Sequence, residues 1–330
     1  IELSRGVEGD SLDELLKAKR DMQWSDAVRK LLESKEIEFL QFGESKHLVG
    51  TLGGRGYFRG VLKLKLSEER QELSEEKNMT HLLNNLAKDY NKKNRARKFI
   101  FPKIMHISED KESIKIKNKD TSEEEIKRYI SVSRSELGKT LDQLIIDQDT
   151  IVESVISDSV DFLAFLHSNV RLKDVKKERG YKLYLKKNLM KAGLTEDSLK
   201  LVYQNIKPIM ESYKGLQRVY ITDCHANNIL LTEDHKIVWL DNENERRGPA
   251  VIDLAKLSLS AGRIDLLLCD KYIDSVSRFG EGIEDKEKFK LAFLNSIIDV
   301  SFSLFYYNFS FGSKEQVIKT LNLAEEAIDI

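Results

Sequence analysis

The stretch "YITDCHANNILL", residues 220 to 231, places a polar loop between two β-forming segments. The loop carries a carboxylate at Asp223, an imidazole at His225 and two carboxamides at Asn227 and Asn228. Buried polar groups need hydrogen-bond partners, and a short loop between strands offers few of its own. The stretch therefore indicates a loop that holds something other than protein. An Asx turn that satisfies its own backbone is the alternative interpretation.

Composition limits the class of protein. The chain has 330 residues, of which 41% are hydrophobic and 33% charged, and its formal net charge is −1. This length suffices for two domains, and the charge gives no global preference for nucleic acid or an anionic membrane. The two cysteines, Cys224 and Cys269, are far apart, which argues against a disulfide framework and favours a reducing, cytoplasmic location. We find no signal-peptide pattern and no apolar run long enough to cross a bilayer.

The periodicity of the chain predicts an α+β fold with two lobes. Residues 36–134 contain alternating strand patterns, such as "IEFLQF" and "YFRGVLKLKL", and one long helix, "SEERQELSEEKNMTHLLNNLAKDY". Residues 135–330 are mainly helical, and residues 1–35 form a helical extension. We therefore predict an antiparallel-sheet N-lobe followed by a mostly helical C-lobe.

Three polar residues have a spacing that suits phosphoryl transfer. Asp223 precedes Asn228 by five positions, as in the kinase pattern H-R-D-x-x-x-x-N, and Asp241 follows 13 positions later in "KIVWLDNE". A carboxylate beside an attacking hydroxyl can accept its proton, while amide and carboxylate oxygens are the ligands that Mg²⁺ prefers. We predict Asp223 as the catalytic base and Asn228 and Asp241 as magnesium ligands.

With "GPAVIDLAKL" following, this string resembles the aminoglycoside phosphotransferase and choline kinase group of the protein-kinase-like superfamily. That group's pattern reads roughly H-G-D-x-H-x-x-N-I-L, then I-D-F-E, then D-L-A. The resemblance covers roughly residues 36–260 and implies a two-lobed protein-kinase-like fold. It also implies an ATP- and Mg²⁺-dependent phosphotransferase that acts on a hydroxyl of a small molecule. Two departures are Ile221, in place of the loop histidine, and "DNE", which lacks the aromatic residue.

The resemblance implies a lysine on the third strand that binds nucleotide phosphates. Lys63 and Lys65 lie on the same face of "GVLKLKL". We choose Lys63 because Val61, two residues earlier, would suit an adenine pocket. The choice of Lys65 would instead place Lys63 against the adenine.

A glutamate on the following helix should hold that lysine. Glu76 is in phase with Met79 and Leu83 and is our choice, with Glu72 and Glu75 as the alternatives.

Other nucleotide contacts are less specific. Ser45, in "QFGESKH", is a candidate for phosphate binding, although a plain β-turn explains the same residues. We predict adenine contacts from the backbone of Val132 and Ser133. "GKTL", residues 138–141, resembles the start of the first C-lobe helix, and His167 is expected to be a packed histidine.

The stretch 171–191 is basic, with nine Lys or Arg residues against two acidic residues, a local net charge of +7. Two interpretations stay open: a solvent-exposed helix face, or a wall for an anionic acceptor such as a phosphosugar, a lipid headgroup or a nucleic acid backbone.

Two alternative functions were weighed. An atypical protein kinase is disfavoured because the interval between Asp241 and Asp253 is too short for a peptide-docking segment. A nucleotide-binding pseudokinase is disfavoured by Asp223, Asn228 and Asp241, whereas Ile221 and the sparse glycine loop favour it.

Overall fold

The computed structural model describes residues 38–40, 48–53, 60–94, 97–117, 123–136, 138–170, 177–178, 211–216, 218–222, 224–240, 246–311, 322 and 327. The predicted helical extension over residues 1–35 lies outside these ranges. The chain divides into two compact units. Unit 1 comprises Ile1–Ala87, Ile100–Gly138 and Thr232–Leu240, and unit 2 comprises Lys88–Phe99, Lys139–Leu231 and Asp241–Ile330. The main change of unit falls at residues 138 and 139, close to the predicted boundary at 134 and 135.

The strands of the described residues are β1 (Glu38–Leu40), β2 (Leu48–Gly53), β3 (Gly60–Ser67), β4 (Phe99–Ile100), β5 (Lys103–Ile107), β6 (Glu112–Lys117), β7 (Glu123–Glu136), β8 (Gly138–Thr140), β9 (Lys177–Glu178), β10 (Arg218–Ile221), β11 (Ile229–Thr232), β12 (Ile237–Trp239) and β13 (Arg246–Pro249). The α-helices are α1 (Arg70–Lys93), α2 (Leu141–Ile146), α3 (Val152–Asn169), α4 (Val251–Ser260), α5 (Leu266–Phe279) and α6 (Lys286–Phe311).

Unit 1 is built on a six-stranded sheet of order β1–β2–β3–β7–β5, in which β6 also pairs with β7. All these pairs are antiparallel. Strand β7 has 14 residues and connects the other strands of the sheet. Its C-terminal part pairs with β3 and β5, and its N-terminal part pairs with β6. The antiparallel sheet predicted from the alternating pattern is therefore present. Strand β6, "ESIKIK", alternates as well but was not predicted.

Helix α1 follows β3 after only two residues. Its apolar side chains Leu73, Met79, Leu83 and Ala87 recur at helical spacing and are buried. Lys92 and Lys93 lie in the last turn, where positive charge suits the helix dipole. A long helix was predicted here, and the structure confirms it.

The helices of unit 2 pack in two pairs, α3 against α5 and α4 against α6. Their core side chains, including Val160, Leu163, Leu254 and Phe293, are fully buried. Helix α2 begins with a capping box, in which Gln143 N–H donates to Thr140 Oγ1 and Thr140 N–H donates to Gln143 Oε1. The "GKTL" segment therefore does start a helix, as predicted. Among the described residues, no helix combines the length and hydropathy that crossing a bilayer requires.

A second sheet, of order β10–β13–β9, lies in unit 2. The polar loop quoted from the sequence joins β10, which ends at Ile221, to β11, which begins at Ile229. A tight turn then leads into β12, closed by Thr232 N–H donating to Lys236 C=O at 2.9 Å. The loop is thus held between two regular strands.

Candidate functional site

Lys65 and Glu76 form an ion pair in unit 1. Lys65 Nζ donates to Glu76 Oε2 at 2.8 Å, and the two side chains are only 6% and 17% exposed. Because little water screens this pair, its charges interact more strongly than those of a surface pair. A buried ammonium group held in one place by a carboxylate can bind an anion at a defined position.

This geometry corrects the choice of lysine. From the sequence we predicted that Glu76 pairs with Lys63, whereas the ion pair of the structure joins Glu76 to Lys65. Both lysines lie on the same face of β3. Lys65 is nearer to the end of the strand, where the chain turns after two residues into α1, and so it lies nearer to the first turns of that helix.

The competing glutamates have other partners. Glu72 Oε2 accepts a hydrogen bond from Ser67 Oγ at 2.7 Å, and Glu75 Oε1 accepts one from Gln71 Nε2 at 2.9 Å. Among the described side chains, the ion pair between this helix and a lysine of β3 is the one that Glu76 makes with Lys65.

Val132 and Ser133 lie inside β7, in its C-terminal part, rather than at a hinge. Val132 is the partner of Leu64 on β3 and of His106 on β5, and Ser133 is likewise paired on both sides. Their backbone groups belong to the sheet ladder, so the prediction that this backbone contacts adenine is wrong. The strand continues to Glu136 before the chain changes direction.

Three further predicted residues are not tested by the geometry. Ser45, Asp223 and Asp241 lie outside the described residues. The backbone of Val61 lies in β3 opposite Gly53 and Ser135, and its side chain is outside the described part.

The loop between β10 and β11 has a defined backbone on the C-terminal side of residue 223. Ala226–Asn228 form a 3₁₀ turn, in which Asn228 N–H donates to His225 C=O at 2.8 Å. The Asn228 side chain is partly exposed, and its Nδ2 lies 3.2 Å from His225 Nε2. This contact orients the amide group of the predicted magnesium ligand.

The residue before Asp223 is fixed by α4. Asp253, which is fully buried, accepts two hydrogen bonds at Oδ2, from Thr222 N–H at 2.7 Å and from Thr222 Oγ1 at 3.1 Å. Lys256 Nζ donates to Thr222 C=O at 2.8 Å and lies 3.7 Å from Asp253 Oδ1. Both polar groups of the Thr222 backbone are thus bound by side chains of one helix.

A second layer lies behind Asp253. His167 Nε2 is 3.4 Å from Asp253 Oδ2, and His167 Nδ1 is 2.7 Å from the Tyr272 hydroxyl. Burial, with a further contribution from the Asp253 charge, raises the pKa of Tyr272 well above its usual value, so this hydroxyl keeps its proton. Donation from Tyr272 to Nδ1 leaves Nε2–H to face Asp253. His167 is therefore a packed histidine, as predicted, and it also supports the loop.

Sequence reasoning had missed Thr222, Lys256 and Tyr272 as members of this network. Lys256 lies three positions after Asp253 on the same helix, which is the one signal that the sequence offered. Tyr272 lies 105 positions from His167, and no sequence pattern connects the two.

No family model and no curated protein matches the chain. Solved structures do match. The chain is similar to wild-type aminoglycoside 2'-phosphotransferase-IIIa in its GDP complex, with 12% identity, a TM-score of 0.57 and coverage of 96% of this chain and 97% of the other. For a Plasmodium vivax ethanolamine kinase the values are 10%, 0.54, 97% and 87%. For an amicoumacin kinase in complex with AMP-PNP, Ca²⁺ and Ami they are 13%, 0.52, 96% and 96%.

At these identities the likeness shows the fold. The chain shares the α+β fold of these structures, with an antiparallel sheet in one unit and mainly helices in the other. The fold that the loop motif and the periodicity predicted is confirmed.

Proposed function

We propose that the chain is a phosphotransferase that moves the terminal phosphoryl group of a nucleoside triphosphate to a hydroxyl group of a small molecule. The observation that carries this proposal is the buried ion pair between Lys65 and Glu76. In kinases such a pair holds the nucleotide phosphates. The fold supports the proposal, since structures that share it contain GDP in one case and AMP-PNP in another.

Lys65 takes the phosphate-binding role that the sequence analysis gave to Lys63. Its ammonium group would neutralise phosphate charge, and Glu76 would keep that group in place. Ser45 and Val61 remain proposed contacts to the phosphates and the base. ATP is the donor that the sequence resemblance implies.

Asp223 is the proposed base that accepts the proton of the acceptor hydroxyl. Its neighbour Thr222 is held at both backbone polar groups by Asp253 and Lys256, and Asn228 is held by His225. Catalytic groups need positions accurate to a fraction of an ångström, so fixed neighbours on both sides suit a catalytic residue. The network through His167 and Tyr272 would maintain that position.

The chemistry of the donor set fits magnesium. Asn228 offers an amide oxygen and Asp241 a carboxylate, and hard oxygen ligands of this kind bind Mg²⁺ together with phosphate oxygens. The hydrogen-bonding contact of Asn228 Nδ2 with His225 commits the nitrogen end of the amide, which would direct the oxygen end to the metal. When bound, the ion would neutralise charge on the transferred phosphoryl group.

We propose an anionic small molecule, such as a phosphosugar or a lipid headgroup, as the acceptor. One structure with this fold is a complex with kanamycin, and another is an ethanolamine kinase, so small molecules are the ligands or substrates of those proteins. The basic stretch 171–191, with its local net charge of +7, favours an acceptor of the opposite charge here. The formal net charge of −1 for the whole chain does not favour a nucleic acid.

The test is a transfer assay. The purified protein is incubated with Mg²⁺, with ATP or GTP, and with a panel of phosphorylated and unphosphorylated hydroxyl compounds, and both nucleoside diphosphate and phosphorylated product are measured. We expect transfer to one class of acceptor. Asp223→Asn and Asn228→Ala should abolish transfer, whereas Asn227→Ala, at the exposed neighbouring position, should retain it.

Nucleotide binding without transfer to any acceptor, and equal nucleoside diphosphate release from the wild type and Asp223→Asn, would show a nucleotide-binding module instead. Labelled phosphate on peptides but on no small molecule would show a protein kinase.

A further inference from the structure

The carbonyl group of Thr222 is the point at which α4 binds the chain just before Asp223, the base of the function proposed above, on which this inference rests. Lys256 Nζ donates to this carbonyl oxygen at 2.8 Å. Thr222 is only 2% exposed, so water competes little for the same oxygen. The hydrogen bond has a charged donor, and bonds of this kind are shorter and stronger than those between neutral groups.

The backbone of Thr222 has little freedom to turn. A peptide group is planar, so a bond to its N–H or its C=O restricts the orientation of the whole group. Asp253 Oδ2 accepts from Thr222 N–H at 2.7 Å, which restricts the peptide group before this residue. Lys256 restricts the peptide group after it, which joins Thr222 to Asp223. The two bonds together restrict both backbone dihedral angles of Thr222 and the direction in which the chain continues.

Two distances show which contact determines where the ammonium group of Lys256 lies. Its Nζ is 2.8 Å from the Thr222 oxygen but 3.7 Å from Asp253 Oδ1. Charge-assisted N–H···O bonds are about 2.7 to 2.9 Å long, so of these two contacts the one to Thr222 has the length of a hydrogen bond. A lysine that served only to neutralise the buried carboxylate would lie closest to that carboxylate. Lys256 instead lies closest to the backbone of the loop.

The ammonium group of Lys256 is a fixed donor. A lysine side chain has several rotatable bonds and is flexible when it is exposed. The side chain of Lys256 is only 16% exposed, and its neighbours on α4, Ala255 and Leu257, are fully buried. Asp253, three positions earlier on the same helix, attracts the ammonium group from one side.

We propose that Lys256 is a positioning residue of the transfer reaction, because it sets the orientation of the peptide group that leads into Asp223. A displacement of a reacting group by 1 Å can lower the rate of the chemical step by about 100-fold. Nucleotide binding through Lys65 does not depend on this peptide group. Loss of Lys256 therefore lowers kcat and leaves the affinity for the nucleotide unchanged.

Lys256→Met tests this role, because it removes the donor and keeps an unbranched side chain. For the full chain, kcat is measured with ATP, Mg²⁺ and the compound of the acceptor panel that reacts fastest, ADP affinity by isothermal titration, and folding by thermal melting. We expect kcat to fall by about 100-fold while the KM for ATP and the affinity for ADP stay unchanged. Lys256→Arg retains a charged donor and should recover kcat to within about tenfold of the wild type. If Lys256→Met does not fold, Lys256→Gln, which keeps a polar side chain beside Asp253, is measured against the same expectations.

Lys271→Met is the matched control. Lys271 is a partly buried lysine of α5 with similar contacts, since its Nζ donates to Ser157 Oγ at 2.6 Å and lies 3.3 Å from Asp161 Oδ2. This variant also loses an ion pair and a hydrogen bond between helices, so its melting temperature should fall. Its kcat should stay at the value of the wild type, because none of these contacts involves the loop.

Three results would overturn the role of Lys256 while leaving the phosphotransferase function intact. The first is a folded Lys256→Met or Lys256→Gln with a kcat within about twofold of the wild type. The second is an equal loss of kcat in Lys271→Met, and the third is an affinity for ADP that falls together with kcat. A wild type that transfers phosphate to no compound of the panel would refute the proposed function itself, and the role of Lys256 with it.

Discussion

Asp253 connects the loop between β10 and β11 to the core of unit 2 through hydrogen bonds. Its carboxylate is fully buried, and it binds the backbone and the hydroxyl of Thr222. Lys256 and His167 supply nearby positive or donating groups at 3.7 and 3.4 Å. A buried carboxylate is stable only when such partners compensate its loss of hydration. The position of Thr222 therefore depends on the negative charge of Asp253 as well as on the size and shape of its side chain.

Asp253→Asn should lower the stability of the protein. The substitution leaves Lys256 without its carboxylate and offers an amide where two donors need an acceptor. We expect the free energy of unfolding, measured by urea denaturation, to fall by about 3 kcal/mol. Asp274→Asn, at an exposed position of α5, is the matched control and should change stability by less than about 0.5 kcal/mol. A variant as stable as the control would contradict the role of Asp253.

His106 should make stability depend on pH. Burial, and then the nearby charge of Lys77, lower the pKa of His106 below its usual value, although Glu109 and Glu112 oppose this. A depressed pKa in the folded state means that the unfolded chain binds the proton more readily. The contribution to stability is therefore complete above the unfolded pKa of about 6.5 and is lost as the pH falls through the folded pKa.

The measurement is the free energy of unfolding of the wild type and of His106→Gln between pH 7.5 and 5. We expect the wild type to lose more stability than His106→Gln over this range. His81→Gln, at an exposed position of α1, should follow the wild type and serves as the control. Parallel curves for the wild type and His106→Gln would refute the effect.

Among the elements, α1 provides the glutamate that binds Lys65, and it also binds neighbouring backbone through two asparagine side chains. Asn84 exchanges two hydrogen bonds with the backbone of Phe101, at 3.2 and 3.3 Å, and Asn91 exchanges two with the backbone of Phe99, at 2.9 and 2.8 Å. The two asparagines are seven positions apart, close to two helical turns, so they lie on the same side of α1. Each side-chain amide supplies the hydrogen-bond donor and acceptor that a neighbouring strand would otherwise provide to this backbone.

Asn91→Ala should therefore be costly. Phe99 is fully buried and stacks on Phe162 with ring centroids 4.1 Å apart, so its unpaired N–H and C=O groups would have little access to water. We expect a loss of about 2 kcal/mol in the free energy of unfolding by chemical denaturation. Asn85→Ala, at an exposed position of α1, controls for helix propensity and should be nearly neutral. Equal values for the two variants would show that the amide of Asn91 contributes nothing.

At the scale of the whole molecule, the order of the motifs was sufficient to predict the fold, because each local pattern agreed with the same architecture. The choice between Lys63 and Lys65 was not predictable in the same way. Strand alternation places both on one face, and it was the structure that paired Lys65 with Glu76. A residue pattern shows reliably which side chains share a face of a strand. It does not show which of two positions on that face forms an ion pair with a given residue.

Two other parts of the site needed the structure for different reasons. The adenine contacts were predicted at Val132 and Ser133 because nothing in the sequence marks where β7 ends, and the strand runs on to Glu136. The support of His167 by Tyr272 joins distant parts of the chain and therefore depends on helix packing. Asp223 and Asp241 remain predictions from spacing.

The distribution of charge over the chain leads to the last prediction. The whole chain has a formal net charge of −1, yet residues 171–191 have a local net charge of +7. If this stretch binds the proposed anionic acceptor, screening by salt should weaken acceptor binding more than it slows the chemical step. We expect the KM for the acceptor to rise between 50 and 300 mM salt while kcat changes little.

The double variant Lys186→Gln/Lys187→Gln should raise that KM by about threefold to tenfold at low salt and reduce its salt dependence. Lys92→Gln/Lys93→Gln removes the same charge from an exposed pair at the end of α1 and should leave the KM unchanged. A KM that ignores salt, or equal effects of the two double variants, would assign the basic stretch to a solvated surface and remove the argument for an anionic acceptor.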